Sequence, residues 1–290
     1  MDNLRAIALM CAAMACFAVE DLVIKILAQT LPVWQIFWLL GGVGLVLFGA
    51  ICRRRGLPLF GPDFLHPLVI LRNLGDIVGS CGFVTALALV PLSLATAILQ
   101  ATPLALTAGA ALFLGERVGW RRWAAVVLGL CGILIILDPT GADFRPEALF
   151  AVLGVVGLMM RDLATRRIPG RIPSHQLSFW GYCAFFVSGA LLVPFDPRLV
   201  APDATTLIAV AFGALVGAFG YWGLTAAMRL GEVSAVIPFR YTRLIFAMGL
   251  GIIVLGESPS MRTLLGAALV VVTGIYTVLR ERRDARVAGC

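Results

Sequence analysis

Long apolar runs, separated by charged residues, prolines and glycines, dominate this chain. A helix needs about 20 mostly apolar residues to cross the ~30 Å hydrocarbon core of a bilayer, and ten runs are close to that length or exceed it. They cover residues 4–27, 33–51, 68–90, 93–114, 120–137, 147–164, 175–195, 205–228, 233–255 and 261–279. The pattern predicts an all-α integral membrane protein with ten transmembrane helices in a lipid bilayer.

A constant offset of 141 positions aligns the first half of the chain with the second half without gaps. The matched pairs are Asp21 and Asp162, Pro32 and Pro173, Gln35 and Gln176, Gly79 and Gly220, Gly82 and Gly223, Ser93 and Ser234, Gly115-Glu116 and Gly256-Glu257, and Arg121 and Arg262. Because each half holds five helices, an odd number, corresponding helices must cross the membrane in opposite directions. The sequence therefore predicts two inverted five-helix repeats, residues 1–140 and 141–290, an arrangement that many secondary transporters use around a midplane site.

Composition argues against several other classes of protein. Hydrophobic residues make up 60% of the chain and charged residues 13%, against about 25% charged residues in soluble domains. Lysines and arginines retained on cytoplasmic loops explain the net charge of +7, so no nucleic-acid partner is expected. The seven cysteines are scattered without a CxxC pair, which predicts neither disulfides nor a metal site. With no glycine-rich phosphate loop and no histidine cluster in the sequence, we expect neither a cofactor nor an enzyme.

Positive charges between the runs indicate the orientation of the chain. With a cytoplasmic N-terminus, most of the 23 lysines and arginines fall on the cytoplasmic side, including those at residues 53–55. Arg145, Arg198 and Arg262 fall on the opposite side. Membrane proteins are enriched in Lys and Arg on their cytoplasmic loops, and an even number of helices returns the chain to the side on which it began. Both termini are therefore predicted to lie in the cytoplasm.

Ionisable side chains inside the runs are few. Each costs at least ~2.5 kcal/mol on insertion scales, so such residues usually face the interior of a helix bundle or a water-filled cavity. Three pairs have the i, i+4 spacing at which opposite charges on a helix interact: Asp21 with Lys25, Arg72 with Asp76, and Asp162 with Arg166. Two interpretations stay open, since the pairs either only neutralise each other or bring Asp21, Arg72 and Asp76 into contact with a solute.

The ninth run carries two arginines beside a proline, in the stretch Pro238-Phe239-Arg240-Tyr241-Thr242-Arg243. A proline removes one backbone hydrogen bond, here leaving the carbonyl of Ser234 without its usual helical partner. Broken backbone together with fixed positive charge suits a carboxylate or phosphate, which arginine can hold with two hydrogen bonds. We predict that Arg240, with Phe239 and Tyr241, lines a cavity, and that Arg243 either joins them or acts as a counter-ion in packing.

The fourth run is the repeat mate of the ninth and contains Thr96 and Gln100 shortly before Pro103. The offset aligns Gln100 with Tyr241. Thr96 and Gln100 suit a polar, uncharged part of a solute. The same residue types also join helices through hydrogen bonds, so this alternative stays open.

Glycines and aromatic residues in the third and eighth runs predict two further roles. The glycines stand at spacings that let helices approach closely, at Gly75, Gly79 and Gly82, and at Gly213, Gly217, Gly220 and Gly223. Aromatic residues near the ends of runs are explained as anchors at the membrane surface. Tyr221 and Trp222 are predicted to lie deeper in the eighth run, where they are candidates for stacking on a solute.

Ten helices in two halves, short loops, and Leu-Gly-Glu at residues 114–116 and 255–257 resemble the drug/metabolite transporter superfamily in its EamA-type branch. The resemblance covers essentially the whole chain. Within that branch, Arg72, the stretch Trp120-Arg121-Arg122-Trp123 and the stretch Pro238-Phe239-Arg240-Tyr241 resemble the subgroup that contains S-adenosylmethionine uptake carriers and some riboflavin carriers. The wider branch includes exporters of amino acids, aromatic ones among them. The resemblance implies a secondary carrier in the bacterial inner membrane, with a central cavity between the halves.

Transport of a small amphipathic metabolite is therefore the leading hypothesis. We expect an amino acid or a related zwitterion whose carboxylate meets Arg240 and whose apolar part stacks near Tyr221 and Trp222, with uptake of S-adenosylmethionine or riboflavin as the alternative. Two other classes are an intramembrane enzyme that acts on lipid, using carboxylates such as Glu20 and Asp76, and a structural membrane subunit. Both rank below transport because inverted repeats with interior charge have a direct use in alternating access.

Overall fold

Helices follow one another along the whole chain in a computed structural model, which describes residues 3–115, 119–139, 144–230 and 236–288. The α-helices are α1 (Asn3–Leu27), α2 (Val33–Arg54), α3 (Pro67–Leu89), α4 (Leu92–Leu99), α5 (Thr102–Leu114), α6 (Trp120–Leu137), α7 (Leu149–Arg167), α8 (Ser174–Leu192), α9 (Ala204–Leu230), α10 (Thr242–Leu255) and α11 (Met261–Ala288). Short 3₁₀ turns cover Pro62–Leu65, Pro146–Ala148, Val193–Phe195 and Ile237–Tyr241. The described residues contain no β-strand.

Ten helical segments within the described residues are long and apolar enough to cross a membrane. The fourth of them, Leu92–Leu114, combines α4 and α5, and the ninth, Pro238–Leu255, combines a 3₁₀ turn with α10. The prediction of an all-α membrane protein with ten transmembrane helices as two inverted five-helix repeats is confirmed. The proposed boundary between the repeats, at residues 140 and 141, lies outside the described residues and stays a prediction.

The ends of corresponding helices repeat with the same 141-residue offset. Pro32 and Pro173 precede α2 and α8 with extended backbone, at ψ 147 and 144. Gly115 and Gly256 terminate α5 and α10 in the left-handed region, at φ 69 and 67, where glycine carries no steric penalty. The glycines of the two Leu-Gly-Glu stretches are therefore required by the turn that ends each helix. Glu116 lies outside the described residues.

The helices form two compact units, and each unit draws on both halves of the sequence. The first unit comprises Met1–Leu22, Val90–Ala148 and Val216–Cys290, and the second comprises Val23–Leu89 and Leu149–Leu215. In the first unit α4 packs against α10 and α6 packs against α11. The offset relates α6 to α11, whereas the mate of α10 is α5, which continues the same span as α4. The described part of the first unit has a core of Ala6, Met10, Ala13, Met14, Ala227 and Val236.

In the second unit α3 packs along α7, and α2 packs along α8. A Cβ atom built on Gly75 would lie 2.5 Å from the backbone nitrogen of Arg161, and one built on Gly82 would lie 2.5 Å from the backbone nitrogen of Gly154. No side chain larger than hydrogen fits at such distances, so the two helices touch backbone to backbone. The predicted packing role of the third-run glycines is confirmed.

Repeat-related glutamines hold two connections of the second unit. Gln35 Nε2 donates to the carbonyl of Val200 at 2.5 Å, and the backbone N–H of Val200 donates to Gln35 Oε1 at 3.2 Å. Gln176 Nε2 donates to the carbonyl of Pro58 at 2.7 Å. Both side chains are buried and satisfy backbone groups that no helix satisfies, so their role is structural.

Candidate functional site

The ten residues predicted from the sequence to contact a solute are divided between the two units. Arg72 and Asp76 belong to the second unit. The other eight belong to the first unit: Asp21, Thr96, Gln100, Tyr221, Trp222, Phe239, Arg240 and Tyr241.

The fourth span is interrupted at Gln100 and Ala101, between α4 and α5. Pro103 has no backbone N–H to bond to the carbonyl of Leu99, and the hydroxyl of Thr102 donates to that carbonyl instead, at 2.6 Å. The sequence pattern showed one continuous apolar run here and did not predict the interruption. The side chain of Gln100, only 8% exposed, forms no hydrogen bond to another described residue.

Thr96 lies within α4, one turn before the interruption. Its hydroxyl donates to the carbonyl of Leu92 at 2.7 Å, and the residue is buried. The Thr96 hydroxyl proton is therefore used inside the helix, and its oxygen keeps acceptor capacity.

The described part of the ninth span begins, at the repeat-related position, with the 3₁₀ turn Ile237–Tyr241, which precedes α10. The hydroxyl of Thr242 donates to the carbonyl of Phe239 at 2.6 Å. Tyr241, the repeat mate of Gln100, is 4% exposed. Its hydroxyl lies against Gly274 and has no hydrogen-bond partner among the described residues. Ser234, whose carbonyl was predicted to lose its partner, lies outside the described residues.

A buried ion pair joins α1 to α10 in the first unit. Arg243 Nε donates to Asp21 Oδ2 at 3.0 Å, and Arg243 Nη2 donates to Asp21 Oδ1 at 2.7 Å. The guanidinium also lies over the ring of Phe17, 5.2 Å from its centroid. Of the two roles considered for Arg243, the structure shows that of a counter-ion. Glu20, next to Asp21, lies against Gly217 of α9, where a side chain would overlap its carboxylate.

Arg240 and Phe239 lie in the 3₁₀ turn before α10. Phe239 packs against the core of the first unit, and Arg240 is partly exposed. Both carboxylate oxygens of Asp21 accept hydrogen bonds from Arg243. The ion pair of Asp21 therefore does not depend on Arg240.

A second charged cluster joins α3 to α7 in the second unit. The predicted pair is confirmed, with Arg72 Nη1 2.9 Å from Asp76 Oδ2. Arg161, which sequence reasoning missed, lies 3.5 Å from Asp76 Oδ1 and 2.8 Å from Asp162 Oδ1. Only the close approach of the two helices brings Arg161 to Asp76, so no spacing along the chain could reveal it. Two arginines and two carboxylates balance in charge, which favours a structural role for this cluster.

Tyr221 and Trp222 lie in the second half of α9 and are 39% and 62% exposed. Their contact with a solute stays a prediction. Trp222 meets Phe219 edge to face, with ring centroids 6.5 Å apart.

Charged groups between α8 and α9 have local partners. Arg198 Nη2 lies 2.7 Å from Asp196 Oδ2, and hydrogen bonds from Arg198 lower the pKa of Asp196. Asp203 accepts a hydrogen bond from the backbone N–H of Thr206 at 2.8 Å, and the hydrogen bonds from Thr206 lower the pKa of Asp203. These carboxylates are ionised and serve the local turn and the start of α9.

Known proteins resemble this chain over most of its length. The family described as the EamA-like transporter family matches residues 4–138 and again residues 145–280. An S-adenosylmethionine uptake transporter of Rickettsia conorii is 26% identical over 76% of this chain and 73% of its own length. A riboflavin transporter of Rhizobium johnstonii is 30% identical over 72% and 69%, and a pseudopaline exporter of Pseudomonas aeruginosa is 25% identical over 89% and 90%. One crystal structure matches 96% of this chain and 98% of its own chain with a TM-score of 0.63 at 21% identity, which shows the shared fold.

Proposed function

This chain belongs to the EamA-like transporter family, and we propose that the small molecule it carries is an amino acid, aromatic amino acids included, or a related zwitterion. It is a multi-pass membrane transporter rather than an enzyme. The proposal places it in the bacterial inner membrane with both termini in the cytoplasm, working by alternating access.

The break in the fourth span and the repeat-related 3₁₀ turn of the ninth span carry this proposal. Secondary transporters with inverted repeats commonly bind solutes where two discontinuous helices occupy corresponding positions. Here the corresponding positions are Gln100 and Tyr241, and α4 packs against α10. A buried polar group that lacks a partner costs about 1 to 3 kcal/mol. The buried hydroxyl of Tyr241 has no partner among the described residues, so a solute that supplies a hydrogen bond would remove that cost.

Each predicted residue has a chemical role in this proposal. The solute carboxylate binds Arg240, whose guanidinium can hold it with two hydrogen bonds. Gln100 and Tyr241 bind its polar groups beside Thr96, and Phe239 contacts its apolar part. Tyr221 and Trp222 of α9 contribute aromatic surface, and Asp21, paired with Arg243, contributes to the charge of the first unit. Arg72 and Asp76 form their ion pair within the second unit.

Uptake of S-adenosylmethionine or riboflavin is the second candidate. The S-adenosylmethionine transporter and the riboflavin transporter that resemble this chain match it over 73% and 69% of their own lengths. S-adenosylmethionine contains the amino acid group of methionine, so Arg240 would serve it in the same way. Riboflavin has no carboxylate and would depend on aromatic contacts instead.

Counterflow into proteoliposomes tests the proposal. Liposomes loaded with an unlabelled solute are diluted into the same radiolabelled solute, using a panel of amino acids, S-adenosylmethionine and riboflavin. We expect at least one amino acid to accumulate above protein-free liposomes. Accumulation of riboflavin or S-adenosylmethionine alone would favour the second candidate, and accumulation of none of the panel would contradict both.

A further inference from the structure

A pocket of about 940 Å³ opens within the first unit, where α4 and α11 begin and α6 and α10 end. Its wall includes Ser93, Asp138, Arg145, Glu257 and Arg262. It is lined by none of the ten residues predicted from the sequence to bind a solute. The orientation predicted from charge places this end of the unit outside the cytoplasm, so we name it the outer pocket.

Three of the four charged side chains in the wall of the outer pocket already have partners. Asp138, at the end of α6, forms an ion pair with Arg262. Glu257 Oε1 accepts a hydrogen bond from the backbone N–H of Leu92 at 2.5 Å. Glu257 Oε2 accepts from the backbone N–H and from the hydroxyl of Ser93, at 3.0 and 2.7 Å. The carboxylate of Glu257 is thus compensated by the start of α4, whose first N–H groups carry partial positive charge.

Arg145 is the fourth charged side chain in the wall. It is exposed, and its guanidinium forms no hydrogen bond and no ion pair with other described residues. The four side chains sum to zero formal charge, and Arg145 is the one among them without a partner in the described part of the chain. Helix dipoles do not change this balance, because two helices begin and two end at this wall.

Apolar residues form the rest of the surface near Arg145. Phe144, Leu94 and Ile136 lie in the wall of the pocket. A concave site of some hundreds of Å³ with apolar walls and a few polar groups is the usual form of a small-molecule site. Arg145 beside apolar surface suits the carboxylate of an amphipathic anion or zwitterion, which an arginine can hold with two hydrogen bonds.

We propose that the outer pocket is a second binding site, which takes an organic carboxylate at Arg145 and its apolar part against Phe144, Leu94 and Ile136. Its preference for a carboxylate rests on the pocket and on Arg145. That the bound carboxylate is also the transported solute rests on the proposed function. Binding there would raise the local concentration of solute at one face of the carrier.

The reaction rates of an introduced thiol with anionic and cationic reagents test whether Arg145 attracts anions into the outer pocket. Ser258, an exposed residue in the wall, is replaced in Ser258→Cys. The full chain in detergent is treated with anionic and with cationic methanethiosulfonates. Each reaction rate is divided by the rate of the same reagent with a free thiol. The reaction of the native cysteines, measured on the unsubstituted chain, is subtracted. We expect the anionic reagent to be favoured by roughly threefold or more, because Arg145 is the charge in the wall without a described partner and attracts an anion. Arg145→Gln should remove the preference and Arg198→Gln should leave it. A preference unchanged by Arg145→Gln would overturn the role of Arg145.

Protection of the same thiol tests the ligand. L-methionine and L-phenylalanine at millimolar concentration should slow its modification severalfold, whereas L-methioninol and L-phenylalaninol, which lack the carboxylate, should not. Arg145→Gln should abolish the protection. Equal protection by the acids and the alcohols, or protection by neither, would overturn the carboxylate site.

Arg240→Ala separates this inference from the proposed function. The variant should lose transport and keep protection at the outer pocket. If ligands protect the thiol but the unsubstituted chain transports no solute, the proposed function is wrong and the outer pocket is supported. If the chain transports an amino acid but no ligand protects the thiol, the outer pocket is wrong and the proposed function is supported.

Discussion

At the scale of single residues, the two arginines of the ninth span have different surroundings. Arg243 is held by both oxygens of Asp21, a residue 2% exposed. Arg240 is partly exposed in the 3₁₀ turn. A buried ion pair adds little net stability. Removing one partner is costly, because the remaining charge is then buried without a counter-ion.

We therefore expect Arg240→Ala to reduce transport by at least about tenfold, the loss of one strong hydrogen-bonded ion contact, with little change in thermal stability. Counterflow and thermal unfolding in detergent, measured on the same preparation, check both statements. Normal transport would sink the cavity role of Arg240, and a large loss of stability would show that Arg240 is a structural ion-pair partner.

Arg243→Ala is the matched comparison. It leaves the carboxylate of Asp21 without its guanidinium, so we expect it to destabilise the protein by ~3 to 5 kcal/mol. Chemical denaturation followed by a folding-sensitive signal measures the loss. If Arg243→Ala is as stable as the unsubstituted chain, the ion pair is not structural.

Tyr241→Phe separates a binding role from a packing role for the buried hydroxyl. The substitution removes an oxygen without a hydrogen-bond partner, so stability should stay the same or rise slightly. Transport should fall, because the proposed solute loses one hydrogen bond of about 1 kcal/mol, or about fivefold in affinity. A variant with unchanged KM and maximal rate of transport would remove Tyr241 from the site.

At the scale of elements, close packing of α3 on α7 depends on glycine. A methyl group on Gly157 would overlap the backbone of Gly79, and overpacking of this kind costs about 1 to 3 kcal/mol. We expect Gly157→Ala to lower the midpoint of thermal unfolding. Gly42→Ala in α2, where a methyl group meets nothing within 4 Å, is the control and should not lower it. Equal midpoints of thermal unfolding in the two variants would show that α3 and α7 can move apart without loss of stability.

The sequence indicated the irregular backbone of the ninth span but not the break in the fourth span. Pro238 with its two arginines indicated broken backbone, whereas the fourth apolar run gave no sign of a break beyond Pro103. Hydropathy is insensitive to such a break, because Gln100 is a single polar residue in a long apolar run and the backbone has no hydropathy of its own. The 141-residue offset pairs Gln100 with Tyr241. Applying it to the irregular backbone indicated by Pro238 would have predicted a break near Gln100 as well.

At the scale of the whole molecule, the orientation predicted from charge has a direct test. Cysteines introduced by Arg54→Cys and Arg198→Cys should react with a membrane-impermeant maleimide from opposite sides, Arg54→Cys only from the cytoplasm. The physical reason is the excess of Lys and Arg that membrane proteins keep on cytoplasmic loops. The unsubstituted chain supplies the background of its native cysteines. A C-terminal reporter that is active only outside the cytoplasm would contradict the orientation.

The sequence by itself determined that this protein has ten spans in two inverted halves, because span length and repeat offset are properties of residue order. It also indicated Arg72 with Asp76, which share one helix. The tertiary structure decided which helices of different halves pack together, and hence that Asp21 pairs with Arg243, 222 positions away, and that Arg161 reaches Asp76. Each compact unit mixes helices of both halves. Such pairings follow from close packing between distant segments, which no periodicity along the chain encodes.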